Sequence, residues 1–303
     1  MAIRAISRPT TSDPTPLQAV ADRHQPKFAR AILSAVNRVR ASVSLSALQA
    51  DLQTEPDWSQ FWLLTKADPS YEPAYLEAVL DGAGTESRVR FASALTLVNP
   101  RAVEAAQRRA AELVVGISRE SRQAIRDVLA LSLQGKFDVR TTARMVRDSV
   151  GLDSRMAQAV VRYRASLDGV KAGTAAPSEA ARGLADQRFR LTNLDSLKVD
   201  QMVSRYAERA VANRATVIAR TETIRAAHDG QRVLWDEAAA QGWFDPTVAR
   251  QVWITTDDDR TCPECAPLDG ESIALDDEFV SGGFVAEFPP LHPQCRCTLS
   301  LDI

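Results

Sequence analysis

Two thiol-bearing knuckles near the C-terminus constrain this chain more than any other feature. Cys262-Pro263-Glu264-Cys265 is followed by His292-Pro293-Gln294-Cys295-Arg296-Cys297, a C-x2-C-x26-H-x2-C-x-C pattern holding all four cysteines and one of three histidines. An acidic loop with Gly282-Gly283 joins them, and Pro289-Pro290 immediately precedes the second. Three readings are open. Four of the five side chains Cys262, Cys265, His292, Cys295 and Cys297 suit a tetrahedral zinc ion, because two short loops can present such ligands without extended structure between them. The alternation Cys295, Cys297, Leu299, Leu301 also fits one face of a strand, with cysteine acting as a small hydrophobe. Disulfides are the third reading, in an oxidising compartment.

The N-terminus has no apolar segment of the secretory kind, and no run approaches the ~20 apolar residues that span a bilayer. Translation into a reducing cytoplasm is therefore expected, which weakens the disulfide reading. With 303 residues, 45% hydrophobic and 25% charged, the chain has room for two domains, or one with a helical arm. The net charge of −2 conceals an asymmetry: residues 101–220 carry 22 basic and 13 acidic side chains, residues 221–303 carry 5 and 16. Either the two regions present different surfaces or they neutralise each other.

Caps and stripes organise the rest. Residues 1–15, rich in Pro and Thr, read as an arm without fixed structure. A helical stripe from Leu17 to Leu52 makes one long helix or two shorter ones, and Trp58, Phe61 and Trp62 form an aromatic anchor. Asn99-Pro100 starts a helix that Gly116 stops, and Ser118 caps the next. Gly135, Asp138, Gly151 and Asp153-Ser154 punctuate two more. Residues 168–183 read as a loop, and Asp195 starts a long helix to Gln241-Gly242, with a bend near Asn213. Residues 251–256 alternate as a strand, with turns at Asp257–Arg260 and Leu268-Asp269-Gly270 before the Cys-bearing strand. The fold class expected is α+β and predominantly helical. It divides into an N-terminal arm with helices (1–90), a helical middle (91–194), and a long helix with a small Cys/His α+β domain (195–303).

Ala219-Arg220-Thr221-Glu222 on a helix, Thr256 through Cys265, Leu268-Asp269-Gly270, and Pro289-Pro290 through Cys297 together resemble the phage Mu F-like minor head protein family. So do Leu97 through Val103 and Ser149 through Arg164, and the resemblance extends over roughly residues 90–303. The motif positions are Arg220, Thr221, Glu222, Asp269, Gly270, Pro290 and Arg296. The resemblance implies a head-morphogenesis protein of the virion: few copies inside the head near the portal vertex, with portal and capsid or scaffold proteins as partners. It also implies contact with packaged or ejected DNA, assembly in the host cytoplasm, and no catalysis. Some relatives carry toxin or enzyme domains after this region, and the six residues after Cys297 leave no room for one.

The chemistry read from the residues agrees with a non-enzyme. G-x-S-x-G, P-loop and H-E-x-x-H patterns are missing. His24 and His228 read as surface or packing residues, and Asp257-Asp258-Asp259 as a solvated turn. A Cys265/His292 pair keeps a metal- or thiol-dependent hydrolase as an alternative. Arg108, Arg109, Arg119, Arg122 and Arg126 form a candidate patch for double-stranded DNA without sequence preference, the third reading. Their interleaving with Glu104, Glu112, Glu120 and Asp127 equally suits a solvated face. On a helix Arg220 and Glu222 point about 200° apart, so the segment reads as a joint from which one of them reaches the Cys domain.

Overall fold

The structure, a computed structural model, describes residues 15–53, 71–87, 100–134, 137–176, 191, 194–256 and 258–303. Among these, seven helices precede a small sheet: α1 (Thr15–Ser42), α2 (Leu45–Gln53), α3 (Tyr71–Ser87), α4 (Pro100–Gln134), α5 (Val139–Asp148), α6 (Ser154–Lys171) and α7 (Ser196–Ala240). The chain is α+β and predominantly helical. No helix among the described residues is long and apolar enough to cross a membrane. Two compact units arise, each discontinuous in sequence: Met1–Ala31, Pro69–Ala110 and Thr216–Ile303 form one, Ile32–Asp68 and Ala111–Ala215 the other.

In the second unit the local signals act as expected. Asp138 accepts from the Thr141 amide and Asp153 from the Met156 amide, both at 2.8 Å, so each carboxylate satisfies a first-turn N–H that the helix cannot. Between α5 and α6 the chain turns through Gly151 at φ +83°, where a β-carbon would also strike Val36. Long cations hold this turn. Arg40 donates to the carbonyls of Asp148 and Val150, and Arg214, 6% exposed, donates to Gly151 O at 2.7 Å. Asp148 is 5% exposed and accepts from Ser204 Oγ (2.6 Å) and Arg147 (2.8 Å), so its buried charge is fully partnered.

Two expectations fail, at a glycine and at a loop boundary. α4 runs through Gly116, so Ser118 caps nothing; one helical glycine costs only about 1 kcal/mol against the flanking helix formers. Gly82 and Gly84 lie inside α3. α6 continues to Lys171, past the expected start of the loop. Trp58, Phe61, Trp62, Asn99 and Gly135, together with residues 1–14, lie outside the described residues.

In the first unit, α3 and α7 cross backbone against backbone. A β-carbon on Gly82 would overlap the Ala227 main chain, and one on Gly230 would overlap the Val79 carbonyl and the Ala83 nitrogen. Polar groups buried at this crossing find partners: Tyr75 donates to Asp229 at 2.6 Å, and Arg109 donates through two nitrogens to Glu222 at 2.9 and 3.0 Å. The end of α7 delivers Leu234, Trp235 and Ala238 to the C-terminal core. There β1 (Arg250–Ile254) sits between β2 (Ser272–Ala274) and β5 (Thr298–Asp302), antiparallel to both, with Trp253 opposite Leu299. The hairpin of β3 (Phe279–Ser281) and β4 (Phe284–Ala286) inserts Phe279 edge-on against Trp253, ring centroids 5.0 Å apart. β5 begins at Thr298, so Cys295 and Cys297 are not strand residues. They belong to the loop before it, so their placement on a strand fails, yet both are buried in one apolar cluster with Leu299 and Leu301, as the reading of cysteine as a small hydrophobe expects.

Candidate metal centre

Local turn chemistry brings the two knuckles together. After β1, the Thr255 amide and hydroxyl both donate to Asp269 Oδ1 (2.8 and 2.9 Å), and the Gly270 amide donates back to Trp253 O at 2.9 Å. Gly270 makes this turn at φ +77°. Leu268-Asp269-Gly270 thus closes the loop bearing Cys262 and Cys265. Within it the Cys265 amide donates to Cys262 Sγ at 3.3 Å. The second loop enters through buried Pro289 and Pro290, joined by a cis peptide, and turns at Gln294 with φ +63°.

His292 Nε2 stands 2.9 Å from Cys262 Sγ and 3.2 Å from Cys265 Sγ, and Cys265 Sγ lies 3.8 Å from Cys295 Sγ. Cys262, Cys265 and His292 form one group whose ligand atoms lie within 4.8 Å of each other; Cys265, Cys295 and Cys297 form another. Cys265 belongs to both. All four cysteines are free thiols. A cavity of about 30 Å³ opens among these side chains, room for one small species. Tetrahedral coordination with metal–sulfur bonds of about 2.3 Å sets sulfurs about 3.8 Å apart, the separation found here. The Nδ1–H of His292 donates to Pro293 O at 2.9 Å, leaving Nε2 with its lone pair toward the sulfurs.

Charge points the same way. Hydrogen bonds from the Cys265 and Cys297 thiols hold Cys295 far below an ordinary thiol. The same bond, with Cys297 and burial, pushes Cys265 far up. Cys297 is also raised, the help of the Cys265 thiol being outweighed by Cys295 and burial. Only one sulfur of the three ionises readily, and a second thiolate here requires a cation. The residues present fit a metal.

The second loop is gripped along its main chain by helices. The Gln294 amide donates to Thr221 Oγ1 (3.1 Å), Gln18 Nε2 donates to Arg296 O (2.7 Å), and His228 Nε2 lies 3.4 Å from Cys297 O. Burial lowers His228 to about 4, so it is neutral. Arg220 holds Gln18 in turn, donating to its Oε1 at 2.5 Å and to Asp22 at 2.7 Å. The Arg296 side chain forks onto Asp258 (2.7 and 2.5 Å) and keeps that carboxyl well below the usual range. Glu222 faces away, to Arg109. Thr221, lying between the two charged residues, is therefore the residue that reaches the cysteine loop directly. Gln18 and His228 were not candidates on sequence grounds: no local signal marks a glutamine 278 residues from its partner. The five candidate DNA-contacting arginines all lie on α4. Arg109 is committed to Glu222, Arg108 shares its unit, and Arg119, Arg122 and Arg126 belong to the other unit.

The family model for Phage Mu protein F like protein matches residues 168–300. Residues 168–300 are a phage Mu F-like segment. No curated protein and no solved structure matches the chain. The Mu F-like segment encloses both knuckles, the Thr221 and His228 braces, and the Asp269 turn, so the whole cluster except the Gln18 brace lies within it.

Proposed function

We propose that the chain is a structural minor head protein of a phage, acting in head morphogenesis at the portal vertex, and that its cysteine–histidine cluster holds one zinc ion. The observation that carries this is the Mu F-like match itself, which encloses the cluster and the α7 residues Thr221 and His228 that brace it. Cys265, shared by both groups, would bind together with Cys262, His292 and Cys295. Cys297 is the fifth candidate, buried, with the Trp253 indole N–H interacting with its sulfur. Zinc would supply structural cross-linking, tying the two knuckle loops together at the edge of the apolar core of this region. The partners of this reading are the portal protein and capsid or scaffold proteins, with packaged or ejected DNA a further contact. Co-purification with portal protein and detection in mature particles support it; particles whose proteome lacks the chain overturn it. The hydrolase alternative draws less support, because Cys265 is 2% exposed with its thiol pushed up, the opposite of an activated nucleophile.

A further inference from the structure

A cavity of about 570 Å³ opens within the second unit, between α5, α6 and the start of α7. Four cations line it: Arg140, Arg144, Arg164 and Lys171. Three aspartates share the space, but their oxygens are largely committed. Asp138 is occupied by the Thr141 amide and hydroxyl (2.8 and 3.0 Å). Asp200 is shared by Arg164 (2.5 Å) and Arg144, while Asp168 takes Arg164 at 2.8 Å and Lys171 at 3.5 Å. Arg140 is exposed, and its guanidinium has no hydrogen bond or ion pair among the described residues. Burial lowers Arg144, and repulsion from the neighbouring Arg140, Arg164 and Arg147 adds to it. The N–H groups of Ser196 and Leu197 open α7 at the cavity wall with no acceptor inside the helix.

We infer that this cavity binds a phosphate group, through Arg140, the unused N–H edge of Arg144, Lys171 and the first turn of α7. The fit is chemical: a planar guanidinium fork matches two phosphate oxygens, and a helix N-terminus adds amide donors. The volume exceeds that of a bare phosphate and falls in the range of sites that take an organic ligand. The phosphate is either free or part of a nucleic-acid backbone. The two sources are told apart by titrating the full chain with inorganic phosphate, by calorimetry, and with a fluorescent short DNA duplex, by anisotropy. Arg140→Gln is compared with Arg155→Gln, an exposed arginine of α6 outside the cavity. Loss of one charge-assisted contact predicts about 10-fold weaker binding for Arg140→Gln and little change for Arg155→Gln. That pattern with inorganic phosphate supports a free phosphate, and with the duplex alone a backbone phosphate. If neither probe binds the wild type, or both variants weaken binding equally, the inference is overturned.

Discussion

The α5–α6 turn and the cysteine loop pose the same problem: exposed main-chain groups in a tight loop must be held by side chains from distant helices. The helical turn uses charged donors, Arg40 and Arg214, against the carbonyls of Asp148, Val150 and Gly151. The cysteine loop uses neutral groups, Gln18, Thr221 and His228, while its own Arg296 turns outward to Asp258. Around the helical turn every buried charge has a partner within the protein. Around the cysteines, three sulfurs crowd together beside His292, with Arg260 and Arg296 lining the same small cavity. One region is complete as polypeptide; the other gathers side chains that could hold a metal.

Removing a ligand side chain should break this contrast most sharply. Cys265→Ser is expected to abolish metal binding and release the C-terminal sheet, since a structural zinc contributes on the order of 10 kcal/mol to a small fold. Trp253 fluorescence should shift while far-UV circular dichroism keeps its helical signal. Cys297→Ser should retain the metal.

Close packing, by contrast, needs no ligand. Gly230→Ala forces a β-carbon into the Val79 carbonyl and should cost about 3–5 kcal/mol in urea unfolding, whether or not metal is present. A cost of less than about 1 kcal/mol would show that α3 and α7 are not in contact as described.

Next in size is a buried carboxyl at the same crossing. Burial, partly offset by the Tyr75 hydrogen bond and then by Arg225 and Arg109, raises Asp229 to about 6. Its folded pKa lies above the unfolded value near 3.8, so the neutral form is favoured by folding. Relative to Asp229→Asn, wild-type stability should therefore fall as pH rises from about 4 through about 6, by at most about 3 kcal/mol. A difference between the two proteins that is flat with pH would contradict this.

The smallest effects separate the two kinds of loop. Thr221→Val removes the acceptor of the Gln294 amide; it should cost about 1 kcal/mol and weaken metal binding about 10-fold. Asp153→Ala should cost a similar ~1 kcal/mol through its lost cap and leave metal affinity unchanged.

The same contrast explains what was legible in the sequence. Asp138, Asp153 and Asp195 could be read as caps because a carboxylate and an amide three residues on are bound to meet once a helix begins. Glycines were read too locally. Gly116 lies in open space within a helix strong enough to pass through it, while Gly82 is a contact point between helices. Gly230 carried no readable signal, because close approach is a property of two segments. The clustering of the five candidate side chains was legible from spacing, and the structure brings them together in two groups that share Cys265. The placing of Cys295 and Cys297 on a strand was not correct, because alternation persists through a loop that the strand only follows. Gln18 and His228 were invisible because a main-chain brace leaves no trace in sequence.

The most direct test of the central claim is metal content of the purified chain by mass spectrometry, with thiols titrated before and after chelation. The account predicts zinc near one equivalent and cysteines that react only after the metal is removed. Four freely reactive thiols and no bound metal would contradict it.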